Sequence, residues 1–162
     1  VAVVGGGNSG LEAALDMAKL KSKVTLVEVR DQLGGDDILE EKVYANEKIK
    51  VFTGCGVEKI IGDEKVEKIK LRDTETGKYS EISVSAVFVE IGLIPNSGFV
   101  EHFVKTNDKN EIIVDENNQT NVEGIWGAGD VTDIKDKQII VSAAEGAKAA
   151  LRVNEYLQKF DK

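Results

Sequence analysis

Gly5, Gly7 and Gly10 follow the apolar run Val1 to Val4 directly and lead into a helical pattern of apolar residues. This is G-x-G-x-x-G between a strand and a helix, the setting in which a dinucleotide pyrophosphate rests on backbone N–H groups. Gly5 allows the tight turn, Gly7 lets the backbone approach phosphate without a Cβ in the way, and Gly10 lets the helix pack close to the strand. Asn8 and Ser9 fill the intervening positions and open the helix. A second apolar run, Lys23 to Val29, carries the acidic Glu28 near its end, 18 positions after Gly10. A carboxylate there is expected to accept both ribose hydroxyls of NAD. The glycines alone are weak evidence, and their pairing with an acid at this spacing is what favours a nucleotide over a bare turn.

To position these groups the chain needs a βαβ unit. Helical spacing from Ser9 to Leu20 puts Leu11, Ala14, Leu15 and Ala18 on one face, and a short break returns the chain to a strand at Val24 to Val29. Asp36 and Asp37 are candidate caps for a second helix reaching about Asn46, and Ile49 to Phe52 reads as a short parallel strand. Gly56 to Ile61, Lys65 to Arg72 and Lys78 to Val84 then alternate polar with apolar residues, separated by turn signals at Gly62-Asp63 and Thr76-Gly77. That alternation predicts an antiparallel three-stranded meander. The unbroken apolar run Ala86 to Ile91 predicts a buried strand returning to the parallel sheet. Beyond Gly92 the pattern is irregular through Pro95, with short strands expected at Glu111 to Val114 and Gly124 to Trp126 and a long helix from Ile139 to Leu157.

The chain has 162 residues, 41% hydrophobic and 31% charged, with a net charge of -8. That balance predicts an ordinary soluble protein, the strand and helix patterns place it in the α/β class, and the negative charge argues against nucleic acid, whose binding needs a positive footprint. No apolar stretch is long enough to span a membrane, and no leader pattern precedes the first strand, so the expected compartment is the cytoplasm. Cys55 is the single cysteine and no Cys/His cluster accompanies it, so neither an internal disulfide nor a metal site is expected. Val1 already lies inside a strand, and the part after Gly92 is too slight for a self-sufficient domain, which reads as a piece of a longer chain.

A second constellation lies in that later part. The segment Thr120 to Asp130 ends at Gly129-Asp130, where a glycine lets the backbone come close to a ligand and the carboxylate is placed to accept a flavin ribityl hydroxyl. Lys137, Gln138 and Ile139 then open the last helix, whose N-terminal dipole suits the electron-rich pyrimidine edge of an isoalloxazine. An Asp that merely caps a turn explains the Gly-Asp pair equally well.

Together the segments GGGNSGLEAA, VTLVEV, VFVEIGLIPN, TNVEGIWGAGD and KQIIVSAAEGAKAA resemble the flavoprotein disulfide reductases of the low-molecular-weight thioredoxin reductase type. Within that group the resemblance is strongest to the flavoprotein subunits of alkyl hydroperoxide reductases, and it covers essentially the whole chain. It implies a Rossmann-like NAD(P)H-binding domain with its meander over residues 1–91. Residues 92–162 would be the C-terminal portion of a second Rossmann-like domain, for FAD. It further implies contacts from Ile91 and Gly92. The N-terminal half of the flavin domain and a redox-active C-x-x-C would belong to the missing part of the parent. That parent would form a homodimer and reduce a thioredoxin-like or peroxiredoxin-linked disulfide. Lone Cys55 has no partner two residues away and cannot replace the redox pair, so no residue of this chain is assigned a catalytic role.

Members that use NADPH carry a basic cluster, resembling His-Arg-Arg followed by a further Arg, at the end of the second strand. Here those positions read Glu28, Val29, Arg30 and Gly34. The acid repels a 2′-phosphate and suits a free hydroxyl, so NADH is expected over NADPH, with Arg30 the one residue that argues the other way. Glu12 matches a family position near the nicotinamide, and equally reads as a first-turn helix acid. Tyr44 and Lys48 have the Y-x-x-x-K spacing of short-chain dehydrogenases, but the glycine loop has the wrong spacing for that family, which leaves them a surface helix pair. His102 reads as a solvated loop residue, Trp126 as packing and Cys55 as a small buried side chain. Two other functions stay open: a stand-alone, non-catalytic NAD(H)-binding module or subunit, and, more weakly, an ordinary NAD dehydrogenase, which would need a His, Tyr or Lys constellation.

Overall fold

The computed structural model describes residues 1–20 and 22–159. The chain forms two compact units, Val1–Gly92 and Leu93–Lys162. The first is built from β1 (Ala2–Val4), α1 (Asn8–Lys19), β2 (Val24–Val27), α2 (Asp37–Tyr44), β3 (Ile49–Phe52), β4 (Cys55–Gly62), β5 (Val66–Asp73), β6 (Tyr79–Ser83) and β7 (Val87–Val89). Two sheets result, one in the order β3-β2-β1-β7 and one in the order β4-β5-β6. Every pairing in the first is parallel and every pairing in the second antiparallel, as the change from solid to alternating apolar pattern predicts.

Successive strand residues point to opposite faces, and both faces of the parallel sheet are used. Val3, Val24 and Leu26 pack with Leu11, Ala14 and Ala18 of α1 and Val43 of α2. Ala2 and Val27 pack instead with Ile69, Leu71 and Val84 of the meander. Leu11 and Leu26 are fully buried, each contributing about 2 kcal/mol from the apolar surface removed from water.

Two expectations in this unit need correction. The run Ala86 to Ile91 predicts a buried strand, but β7 pairs only with β1 and so forms the sheet edge, leaving Val89 56% and Ile91 72% exposed. The second helix stops at Tyr44, short of Asn46. Lys48 therefore lies outside it and donates its ammonium to the Ala18 carbonyl at 3.1 Å, so Tyr44 and Lys48 are not a helix pair. Cys55 is half-buried at the start of β4, and burial followed by the charge of Asp73 pushes its thiol up, away from the nucleophilic thiolate.

The second unit holds one long helix, α3 (Ile139–Leu157), and a small core of Val100, Val104 and Ile112 joined by Val114, Val122, Ile125 and Val131. The strands expected at Glu111 to Val114 and Gly124 to Trp126 do not form. Only isolated bridges occur there, Thr106 to Ile112, Ile112 to Thr132 and Gln119 to Trp126. The physical reason is local: Gly124 and Asn118 take left-handed backbone with φ of 83° and 63°, and Asp115 Oδ1 accepts from the N–H groups of Asn117 and Gln119 at 2.9 and 2.8 Å. Side chains thus satisfy backbone groups that a ladder would otherwise pair. His102 is exposed in a turn. Trp126 is half-buried, edge-on to Tyr156 with ring centroids 5.1 Å apart. Among the described residues no helix is long and apolar enough to cross a membrane, and no His, Cys, Asp and Glu side chains cluster to hold a metal ion.

Candidate functional site

The glycine turn joins β1 to α1 at the carboxyl end of the parallel sheet. There β1 has β2 on one side and β7 on the other, which makes it the point where the strand order reverses, the usual ligand crevice of such sheets. Gly5 has φ of 117°, and a Cβ built on it would lie 2.2 Å from the Glu90 carbonyl oxygen. At Gly10 a Cβ would lie 1.8 Å from the Gly5 carbonyl oxygen, so only glycine lets α1 start this close to β1. At Gly7 a Cβ would meet nothing within 4 Å. Its space opens into a cleft of about 430 Å³ lined by Gly5 to Ser9, Glu28, Arg30 and Glu90 to Gly92.

Gly7 caps α1 with extended backbone and no side-chain hydrogen bond. The first-turn N–H groups, which an α-helix leaves without intrahelical partners, therefore face this cleft. Asn8 and Ser9 are exposed at its rim. Asn8 Oδ1 accepts from the Asp36 N–H at 2.7 Å, which ties the loop after β2 to the start of α1.

Glu28 sits on the floor, 5% exposed. Its Oε2 accepts from the Gly6 N–H at 2.6 Å, and its Oε1 accepts from both the N–H and the Nε–H of Arg30 at 2.9 Å. Burial pushes this carboxyl up, but the hydrogen bonds from Arg30 and Gly6 outweigh it and hold it below its usual range. Arg30 is raised in turn by that carboxylate. A carboxylate offers about four lone-pair positions, and three are taken by Gly6 and Arg30 in this structure.

The structure thus gathers Gly5, Gly7, Asn8, Ser9, Glu28, Arg30, Ile91 and Gly92 around one cleft, with Gly10 packed behind it. Glu12 is not among the lining residues. It is exposed, lies past the first turn of a helix that begins at Asn8, and lines a larger groove of about 920 Å³ between α1 and α2. That groove is lined by side chains such as Asp16, Lys19 and Lys42 and presents no helix N-terminus, which the smaller cleft does.

Gly6 and Glu90 also belong to the cleft, and the sequence pattern singles out neither. A Cβ on Gly6 would lie 2.7 Å from Leu33 and 2.8 Å from Glu28 Oε2, yet in the motif Gly6 occupies a variable position.

In the second unit, Gly129 has φ of 77° and its Cβ position lies 3.3 Å from that of Ser142, which brings Asp130 against the first turn of α3. Asp130 Oδ1 accepts from the Ser142 hydroxyl at 2.6 Å, a partner that no spacing rule points to. Lys137 pairs with Glu111 at 2.9 Å, donates to the Asp130 carbonyl at 3.1 Å and also donates to the Thr132 carbonyl. Its ammonium is thereby committed to the loop. Gln138 is the helix cap and makes no side-chain capping hydrogen bond, while Ile139 is 92% exposed. An acid beside an uncapped helix start fits one edge of a flavin, and the Gly129-Asp130 pair is packed here as a helix-docking turn.

Comparison with known proteins places this geometry. A family model described as pyridine nucleotide-disulphide oxidoreductase matches residues 1–150. The chain is 41% identical over 157 residues to the F subunit of alkyl hydroperoxide reductase from Staphylococcus aureus (strain Mu50), covering 97% of this chain and 31% of the relative. Among solved structures it superposes on thioredoxin reductase from Lactococcus lactis with a TM-score of 0.84 at 30% identity, covering 98% of this chain and 52% of that one. The T. acidophilum thioredoxin reductase gives 0.79 at 34% identity, covering 94% and 50%. The chain therefore spans about a third of the length of the curated relatives it matches and about half of these structures.

Proposed function

The chain belongs to the pyridine nucleotide-disulphide oxidoreductase family, and on that premise we propose that its first unit is an NADH-binding domain. The pyrophosphate would rest on the first-turn N–H groups of α1 beside Gly7, with the adenosine ribose at Glu28 and Ile91 and Gly92 closing the far wall. The single observation that carries this is the buried Glu28 carboxylate, hydrogen-bonded to Gly6 on the floor of the glycine cleft. That fixed negative charge opposes a 2′-phosphate.

Residues of the second unit, Gly129, Asp130, Lys137, Gln138 and Ile139, would form part of a flavin site completed by an N-terminal half-domain of a longer polypeptide. When bound, FAD supplies the two-electron chemistry that links NADH to a redox disulfide, a thioredoxin-like or peroxiredoxin-linked one, in a homodimeric parent. This chain's share is to bind and orient: Glu28 and Gly6 hold the ribose end, α1 holds the phosphates, and Asp130 with α3 supplies one edge of the flavin cradle. No cysteine pair stands in this chain, so it is expected to show no disulfide reductase turnover by itself. The two apolar cores of the first unit favour, as a second reading, a stand-alone NAD(H)-binding module; the mass of the native polypeptide separates the two.

Titration of the chain with NADH and with NADPH, beside a flavin absorbance scan, tests the proposal. NADH binding, weaker NADPH binding and no flavin colour are expected. A preference for NADPH of about tenfold would overturn the role given to Glu28.

A further inference from the structure

One acid of the cleft has no task in coenzyme binding as proposed above. Glu90 follows β7 and donates its N–H to the Val4 carbonyl at 2.7 Å, so it stands on one side of the end of β1 as Glu28 stands on the other. Phe88 packs against the core beneath α1, and alternation along the strand sends the Glu90 side chain to that same face. Its Cβ lies 3.7 Å from a Cβ built on Gly10 in the first turn of α1, and the residue lines the cleft half-buried. Among the described residues its carboxylate has no hydrogen-bond or ion-pair partner, whereas that of Glu28 is held by Gly6 and Arg30. Glu12, the acid that the sequence offers near the nicotinamide, lies outside this cleft.

The geometry points to Glu90 as the residue that sets the preference between oxidised and reduced coenzyme, through the charge it places beside the nicotinamide riboside. This inference deepens the NADH proposal and rests on it. A dinucleotide crosses such a crevice at the reversal of strand order, with its diphosphate on the glycine turn. With the adenosine ribose at Glu28 on the β2 side, the nicotinamide half falls on the β7 side, where Glu90 stands. The oxidised nicotinamide ring carries a positive charge and the reduced ring is neutral. A carboxylate at that end therefore attracts the first and gains nothing from the second. Both forms carry the same diphosphate, so its repulsion by Glu90 cancels in the comparison. Glu28 cannot supply this preference, because it lies at the adenosine end and its charge is paired with Arg30.

The test measures dissociation constants of NAD+, NADH and ADP-ribose, which lacks the nicotinamide, for the chain and for Glu90→Gln and Glu90→Lys at low ionic strength. Glu90→Gln is expected to lower the ratio of the NADH to the NAD+ constant about threefold, the Coulomb scale of a solvated pair of unit charges. Glu90→Lys, a change of two charges, is expected to lower it about tenfold. The ratio of the NADH to the ADP-ribose constant stays in place in Glu90→Gln, since neither ligand carries the ring charge. An unchanged NADH to NAD+ ratio in Glu90→Gln overturns the inference, and so does an equal weakening of all three ligands, which marks a merely structural role. In the unaltered chain the same ratio should fall as salt rises to about 1 M. That measurement decides the matter if the variants fail to fold, a ratio indifferent to salt counting against. A chain that binds none of the three ligands removes the coenzyme proposal itself, an outcome distinct from normal NADH binding with an unmoved ratio.

Discussion

The two longest helices of this protein use their apolar residues in opposite ways. In the first unit α1 has 12 residues and buries Gly10, Leu11, Ala14 and Ala18 against the sheet. In the second unit α3 has 19 residues and buries only Ala149, leaving Ile139 92% and Ile140 77% exposed. The first unit supplies a sheet with an apolar layer on each face, so helix and meander each have a surface to cover. The second is held largely by polar ties to backbone. Asn118 is fully buried and donates to the Gly127 carbonyl at 3.0 Å and to Glu145, and the Thr132 hydroxyl donates to the Gly129 carbonyl at 2.7 Å. An apolar helix pattern thus tells where a helix forms, and only the neighbouring layer decides whether it is buried.

The sharpest way to break this contrast is to strike one unit and watch the other. Trp126 is the only tryptophan and lies in the second unit, so its fluorescence reads that unit, while far-UV circular dichroism reads both. Gly10→Val places a side chain where a Cβ alone would be 1.8 Å from the Gly5 carbonyl oxygen. It should destabilise the first unit by about 3 kcal/mol or more, lowering the dichroism midpoint in urea and leaving the tryptophan midpoint in place. Equal shifts in both signals would mean that the units unfold as one. Asn118→Ala is the reciprocal strike, removing a buried hydrogen bond to Gly127 and a half-buried one to Glu145 and placing alanine at a φ of 63°. It should cost about 2 kcal/mol, read by the tryptophan midpoint.

Acid sharpens the contrast further. Glu28 has its carboxyl lowered from 4.5 on folding, the hydrogen bonds outweighing burial, so its stabilisation is complete above that value and fades as pH falls through the lower folded one. Glu145 is lowered too, by Asn118 and then Lys148. Glu28→Gln should therefore flatten the acid loss of the dichroism midpoint and leave that of the tryptophan midpoint, which Glu145 carries together with Glu111, lowered by Asn107 and then Lys137. The smallest effect belongs to α3: replacing Ile139 and Ile140 together by serine should move the urea midpoint by no more than about 0.5 kcal/mol equivalent. A larger loss would show that these side chains pack after all.

The same contrast explains what is legible in the sequence. In the first unit β3 and the meander stand where periodicity and turn residues put them, because each local pattern agrees with a layer that uses it. The glycine turn and Glu28 are equally legible, the glycine spacing being set by the turn and the position of Glu28 by the lengths of α1 and β2. In the second unit α3 has the predicted bounds, while two predicted strands are reduced to isolated bridges because left-handed residues and side-chain hydrogen bonds take up backbone groups that a ladder would pair. Close approaches are invisible throughout. The demand for glycine at Gly6 arises from Leu33 and Glu28 folding over it, and the Asp130 to Ser142 bond from a turn docking on a helix. Neither leaves a periodic trace.

The place of β7 in the sheet carries a kinetic consequence. Ala2 pairs with Val87, 85 positions on, after the chain has made its entire excursion through the meander. Closing so long a loop is entropically slow, whereas the β1-α1-β2 unit joins near neighbours and can assemble early. Since Glu90 to Gly92 form one wall of the cleft, a binding-competent crevice arises only with this final long-range docking. On the proposed reading of the cleft, acquisition of nucleotide affinity during refolding should accordingly trail the recovery of helical signal and keep time with the zippering of the sheet's outermost strand.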